Sequence, residues 1–523
     1  MLRVIIKTRP PYQEHKLTKQ QKPETLNQAI WPGMNGGTYK PLSDHDIKRI
    51  HATALDVLED IGIANPSPEL LEYALPCGCI KGNDGRLKFP RTMVEDIIAK
   101  KADKLINYGI DPKYDLEESG HRVHMGTAGE AVSILDYKTQ SYRPSTLVDL
   151  YDAARLVDQL DNIHSFGQPF IANEHSDDLY VHDINLAYAQ LAGTRKPIVL
   201  AISEVQHIDP IISMFDIFLG QSGSFFERPF CSFTGCPILS PLTFGPESLA
   251  VLIKLAQLGL PGEVTIAAQA GATAPTALAG AMVQTFAETL ACLCIVNFIR
   301  PGMTISFGMW PFITDLRTAN FSGGGGEEAL IIAATAQLCN YYGLIANVPS
   351  GMTDSKTMDT QAGYEKAITT TAVALAGGNM ISCYPGMVGS LMAQSFEGMV
   401  IDNDMLGNIL RLVRGIEVTD ETLSFDVIKE TVLGQGHFLS HKQTIRLMKS
   451  EFVYPDIADR SLPDQWHDDG KKTVYDQAHK KVKKMLSNHY PDYIDSTADA
   501  RIRRSFPIKL KPEDMTPGNG RWE

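Results

Sequence analysis

From about residue 145 onward, short apolar runs alternate with helical stretches for roughly 250 residues, and this rhythm constrains the fold more than any other feature of the chain. The strand candidates are 163–170, 197–203, 229–236, 264–269, 303–308, 344–349 and 379–385. Between them lie helical patterns at 146–159, 182–192, 208–219, 246–259, 276–298, 327–342 and 361–376. Strands that alternate with helices imply a parallel sheet covered by helices. Seven units are clear and the strand of an eighth is not placed. The count favours an α/β chain built as a closed (β/α)8 TIM barrel over an open sheet.

A barrel of about 250 residues leaves long additions in a chain of 523. Residues 1–40 are rich in Pro, Gly, Gln and Lys and read as an extended arm. Residues 41–144 read as a helical segment with short strands at 121–138. Ser43 and Asp46 have the spacing of a helix start there, and Ile47, Ile50, Ala54, Leu55 and Leu58 recur at helical spacing. The barrel core is expected over 145–415, and a helical extension ending in a polar tail over 416–523.

Hydrophobic residues at 44% and charged residues at 21% are ordinary for a globular chain. A net charge of −13 opposes general binding to nucleic acid or to anionic membranes. No secretory signal is visible in the first residues, and no apolar run of about 18 residues suggests a membrane span. The eight cysteines lack zinc-ribbon spacing. A cytoplasmic protein with reduced thiols is expected. The pair His437 and His441 has helical ligand spacing but lies outside the βα rhythm, and a structural role fits it better.

Catalytic groups of a barrel project from the C-terminal ends of its strands. Those positions carry aromatic and methionine side chains: Phe233, Trp310, Phe312, Met352 and Tyr384. Aromatic faces attract cations that cannot donate hydrogen bonds, quaternary ammonium above all. Packing of the rim is the plainer role for any single ring. The segment 350–366 is too long and too polar for a minimal turn, and it holds Asp354, Asp359, Gln361, Tyr364 and Glu365. Gln361 and Glu365 are four apart and share a helix face. Carboxylates there would complement a bound cation; the alternative is a helix cap at Asp359 beside a solvated Glu365 and Lys366.

The same segment carries a family resemblance. Gly351-Met352-Thr353-Asp354-Ser355-Lys356, then Asp359, Gln361-Ala362-Gly363 and Glu365-Lys366, is similar to the signature of trimethylamine:corrinoid methyltransferases. The likeness continues through 375–379, 401–404 and 414–416, reaches back to Ile50-His51 and Gly62-Ile63, and extends on to Asp459-Arg460 and Trp466, so it spans about residues 40–490. Met352 stands where the trimethylamine enzymes have pyrrolysine. The resemblance therefore implies the group without pyrrolysine, which demethylates quaternary amines such as glycine betaine.

It also implies a methyl acceptor in the form of a corrinoid (cobalamin) brought by a partner protein, no tightly bound cofactor, no metal, and a homo-oligomer. Under this reading Glu365, Gln361 and Asp354 are the candidate catalytic residues. Trp310, Phe312, Met352, Tyr364, Tyr384 and Phe233 would hold the donor, with His124 and Arg317 as candidate partners for a betaine carboxylate. Two other readings stay open. One is a zinc methyltransferase using Cys292, Cys294 or Cys383 with a histidine; the other is a betaine-binding protein without turnover.

Overall fold

The computed structural model describes residues 28–260 and 262–522. Most of the arm expected over residues 1–40 lies outside them. Eight parallel strands, each followed by a helix, organise the described residues. The strands are β1 (Arg122–Gly126), β2 (Phe166–Gly167), β3 (Ile198–Ala201), β4 (Cys231–Gly235), β5 (Gly262–Ile266), β6 (Ser306–Met309), β7 (Ala346–Pro349) and β8 (Met380–Ser382). The helices that follow them are α1 (Leu147–Val157), α2 (Leu179–Gly193), α3 (Ile208–Leu219), α4 (Pro246–Leu258), α5 (Leu278–Ile299), α6 (Gly326–Tyr341), α7 (Thr360–Ala376) and α8 (Phe396–Arg414).

Neighbouring strands pair in parallel from β2 through β8, and β8 then pairs with β1. A short ninth strand, Met34–Asn35, lies antiparallel on β1. The sheet curls until β1 and β2 approach each other. Gly126 bridges Ser165 in parallel, and the His164 N–H donates to the Met125 carbonyl at 2.6 Å.

The strand that the alternation could not place is β1. It lies upstream of the core expected over 145–415, within the segment read as an N-terminal addition. Local chemistry explains the lapse. β1 carries Arg122 and His124, and no helix follows it until α1. Between them, Ser133–Leu135 enters a small separate sheet by pairing with Ala393–Gln394. That pairing brings the loop after β1 against the loop after β8.

Helix boundaries follow end chemistry. Ser43 accepts from the Asp46 N–H and starts Asp44–Asp56. Thr146 and Asp149 form a reciprocal capping box on α1. Gly220, Gly259 and Gly377 end α3, α4 and α7 in left-handed conformations.

Helix α5 is long and apolar enough to cross a membrane, a feature that the sequence reading had not found. However, 83% of its apolar window lies inside the protein, which makes it a core helix. The N-terminal helix Asp44–Asp56 packs on it, and His51 stacks on Tyr342 at 4.3 Å. At the other end of the chain, Val474–Asn488 lies along α8, and the final residues fold back to α1. Buried Asp152 accepts from Arg155 at 2.9 Å, Arg521 at 3.0 Å and the Trp522 indole N–H at 2.6 Å. The stretch between these anchored parts is different: Ile416, Phe425, Leu433 and Leu439 are 88%, 72%, 79% and 84% exposed.

Candidate functional site

A cavity of about 390 Å³ opens among the C-terminal ends of the strands and descends along the inner face of the sheet. Its size is within the range of small-molecule sites. A larger hollow of about 740 Å³ lies near the N-terminal ends. Its Lys196 is occupied by structural work, since Nζ donates to the carbonyls of Val157, Leu160 and Ile163. Because parallel sheets carry chemistry at their C-terminal edge, the smaller cavity is the candidate site.

Three rings line it: Trp310, Phe312 and Tyr384. The Trp310 indole N–H donates to the Asn347 carbonyl at 3.2 Å, which fixes the ring. Its face meets Phe312 and Tyr384 edge to face, at 6.0 and 6.1 Å between centroids. Two carboxyl groups share the cavity, Glu130 from the loop after β1 and Glu263 from β5. Glu130 is an exposed residue on the cavity wall, although the protein packed around its carboxyl still desolvates it. Three lining residues, Glu130, Tyr384 and Leu391, hold left-handed backbone at φ +55°, +44° and +71°, as the Cα chirality disfavours. Such strain persists where the surrounding structure fixes it, and it gathers at functional sites.

The electrostatics are one-sided. Burial pushes the Glu263 carboxyl up to about 7, partly offset by the Asn347 amide. Burial raises Glu130 as well, and Asp183 adds to it. Deeper in, burial and then Glu263 push Glu118 up to about 8. Glu328, at the start of α6, is raised far above the usual carboxylate range by burial and then by Asp354 and Glu365. Neither Glu328 oxygen has a hydrogen-bond partner among the described residues. Buried carboxylates without counter-charges favour a cationic guest, which relieves their desolvation.

The other residues singled out from sequence fall into two groups. Glu365, Gln361 and Asp354 do come together, but around a loop and not in the cavity lining. The Glu365 carboxylate accepts from the Thr353 hydroxyl at 2.5 Å, the Asp354 N–H at 2.9 Å and the Gln361 amide at 2.9 Å. Asp354 accepts from the Ser322 and Ser390 hydroxyls, both at 2.8 Å, and from the Gly323 N–H at 2.9 Å. This network clamps the loop after β7 to the glycine-rich entry of α6. Gly324 must be glycine-small there, since a Cβ would lie 2.5 Å from the Glu365 carboxylate.

The remaining residues stand apart from the cavity. Phe233 and Met352 are fully buried in the core. On β4, Phe233 points outward because Thr234 takes the inner face. Tyr364 is 53% exposed. His124 is buried on β1, where Nε2 is 3.0 Å from the Glu117 carbonyl and burial holds the ring down at about 4. Arg317 lies on the surface, bonded to Asp315 at 2.8 Å. Cys292, Cys294 and Cys383 are buried, and burial raises each thiol. Among the described residues no three His, Cys, Asp or Glu side chains gather so as to hold a metal ion.

Sequence reasoning missed Glu130 and Glu263. The available signal was an acid at the head of the apolar run Val264-Thr265-Ile266, where a purely structural strand would carry none.

Comparison with known proteins agrees with the signature in segment 350–366. The profile of the family described as trimethylamine methyltransferase (MTTB) matches residues 13–513. A trimethylamine methyltransferase MttB of Methanosarcina thermophila is 31% identical over 480 residues, covering 90% of this chain and 97% of its own length. A glycine betaine methyltransferase of Desulfitobacterium hafniense is 28% identical over 465 residues, covering 89% and 96%. Among solved structures, the monomethylamine methyltransferase MtmB of Methanosarcina barkeri aligns at 12% identity with a TM-score of 0.43, over 86% of this chain and 95% of that one. With a profile match along nearly its whole length and a relative above 30% identity, the chain belongs to the trimethylamine methyltransferase family.

Proposed function

We propose that the protein transfers a methyl group from a quaternary ammonium donor, held in the aromatic and acidic cavity, to the Co(I) of a corrinoid carried by a partner protein. The curled sheet, with β1 brought against β2, is read here as a (β/α)8 barrel whose mouth is the site. The observation that carries the proposal is the meeting of Trp310, Phe312 and Tyr384 with Glu130 and Glu263 in one cavity. Aromatic faces and carboxylates together suit a cation that has no N–H to donate.

A quaternary nitrogen needs no acid or base to depart. The N–CH3 bond breaks, its electron pair stays on nitrogen, and a neutral tertiary amine leaves. The Co(I) corrinoid supplies the nucleophile that takes the methyl group. The protein's share is to hold the cation, point one methyl toward the mouth and keep water away. Met352 at the position of pyrrolysine fits a donor that requires no covalent activation.

The resemblance extends to a homo-oligomer, and the apolar side chains exposed between 416 and 454 offer surface that self-association would cover. A reducing, cytoplasmic setting suits eight free cysteines, two of them exposed. A binding protein without turnover would use the same cavity, so the deciding experiment is chemical. Purified protein is mixed with cob(I)alamin and a panel of methylated amines, and the visible spectrum is followed. Donor-dependent loss of the Co(I) spectrum supports the proposal. Donor binding without methyl transfer, even with a competent corrinoid protein present, overturns it.

A further inference from the structure

We infer that the cavity selects ammonium donors that carry no acid group, and that it discriminates against betaines. The inference rests on reading the cavity as the ammonium site and concerns the remainder of the donor. A betaine brings a carboxylate within a few bonds of its ammonium, and beside two acidic side chains that second negative group needs a positive charge to offset the repulsion. The charged side chains lining this cavity are Glu130 and Glu263, both acidic. Among the described residues neither forms an ion pair.

The surrounding layer repeats the sign. The charge of Glu263 acts on Glu118, that of Asp183 acts on Glu130, and Glu328 and both cavity glutamates bear on the Tyr384 phenol. The cations that could have answered a carboxylate are committed elsewhere. Buried Lys366 is paired with Asp402 at 3.0 Å and donates to the carbonyls of Gly351 and Tyr384. Arg317 is on the surface with Asp315, and His124 is held at the Glu117 carbonyl.

The polar groups that do reach the cavity are small and neutral: Ser165, Gln168, Thr234, Ser248 and Thr265 among them. Their hydroxyls can exchange hydrogen bonds with a hydroxyl on the donor's fourth arm, but they bring no positive charge to offset a carboxylate placed beside Glu130 and Glu263. The chemistry therefore fits a trimethylammonium head with an alkyl or hydroxyalkyl arm.

The test uses three probes with the same trimethylammonium head: tetramethylammonium, choline and glycine betaine. Binding to the full-length protein is read by tryptophan fluorescence and calorimetry without corrinoid, and methyl transfer is read separately with cob(I)alamin. The expected result is that tetramethylammonium and choline bind at least about tenfold more tightly than glycine betaine. The Glu130→Gln/Glu263→Gln double variant, checked for folding by circular dichroism, should lose most of that preference. Equal or tighter binding of glycine betaine, with the double variant unchanged, overturns the inference. If glycine betaine binds as tightly as the other two and also donates its methyl group, the proposed reaction stands and only the selectivity falls. If the cations bind selectively but nothing is transferred, the reaction falls and the selectivity stands.

Discussion

Two groups of acidic side chains, one around the loop after β7 and one in the cavity, differ in what surrounds their oxygens. Glu365 and Asp354 accept six hydrogen bonds between them, from hydroxyls, backbone N–H groups and an amide. Glu130 and Glu263 face a cavity, and burial raises both. A carboxylate whose lone pairs are filled by its own chain holds the chain together; one left facing a cavity has capacity for a guest. Sequence spacing does not separate the two cases, because both consist of acids near strand ends. Partner geometry separates them.

The comparison can be broken or sharpened by exchanging the two groups' fates. Glu365→Ala strands the Thr353 hydroxyl and the Asp354 N–H and should cost about 3 kcal/mol of stability, read as a lower urea midpoint. If stability is unchanged and only turnover is lost, Glu365 belongs with the cavity acids. The Glu130→Gln/Glu263→Gln variant should behave in the opposite way, with tetramethylammonium affinity down about a hundredfold and stability equal or higher. The sign follows from the raised Glu263. The unfolded chain gives up that proton near about 4.3, whereas the folded protein keeps it until about 7. Its cost to folding therefore grows across that window and is fully present above it, so the gain in the variant should be largest at alkaline pH.

Trp310→Ala removes the central ring and should weaken ammonium binding by about 30-fold, measured by calorimetry. Full affinity without the indole would move the site away from this cavity. A smaller effect comes from pH in the intact protein. Tetramethylammonium affinity should rise as pH passes upward through about 7, by up to about tenfold, as Glu263 ionises against Glu118 and Tyr384, with Glu130 set against Asp183 and Cys236. A flat profile from pH 6 to 8 would separate the guest from Glu263. The smallest effect is expected for Tyr364→Ala, within about 0.5 kcal/mol in stability and without change in turnover, because the ring is exposed beside the clamped loop.

Much of the fold was legible because apolar period and end chemistry are local. Helix α3 falls on its expected bounds, and α4 and α7 lie within a residue of theirs. β1 was legible only as one of the short strands read over 121–138, not as a member of the main sheet. Its place beside β8 and β2 is fixed by contacts more than 30 residues away in sequence. At the site, Trp310, Phe312 and Tyr384 could be read as rings at strand ends. Glu130 could not, since a left-handed acid in a loop resembles any turn residue until the cavity is seen.

The return of the chain's end to α1 has a practical consequence for limited proteolysis. Residues 416–466 present exposed side chains and short helices, so a protease will nick the chain there first. The fragment beyond the nick is held by Arg155 to the carbonyls of Leu486 and His489, by Asp158 to His489 and Tyr493, and by Asp152 to Arg521 and Trp522. The two pieces should therefore elute together under native conditions and part only in denaturant.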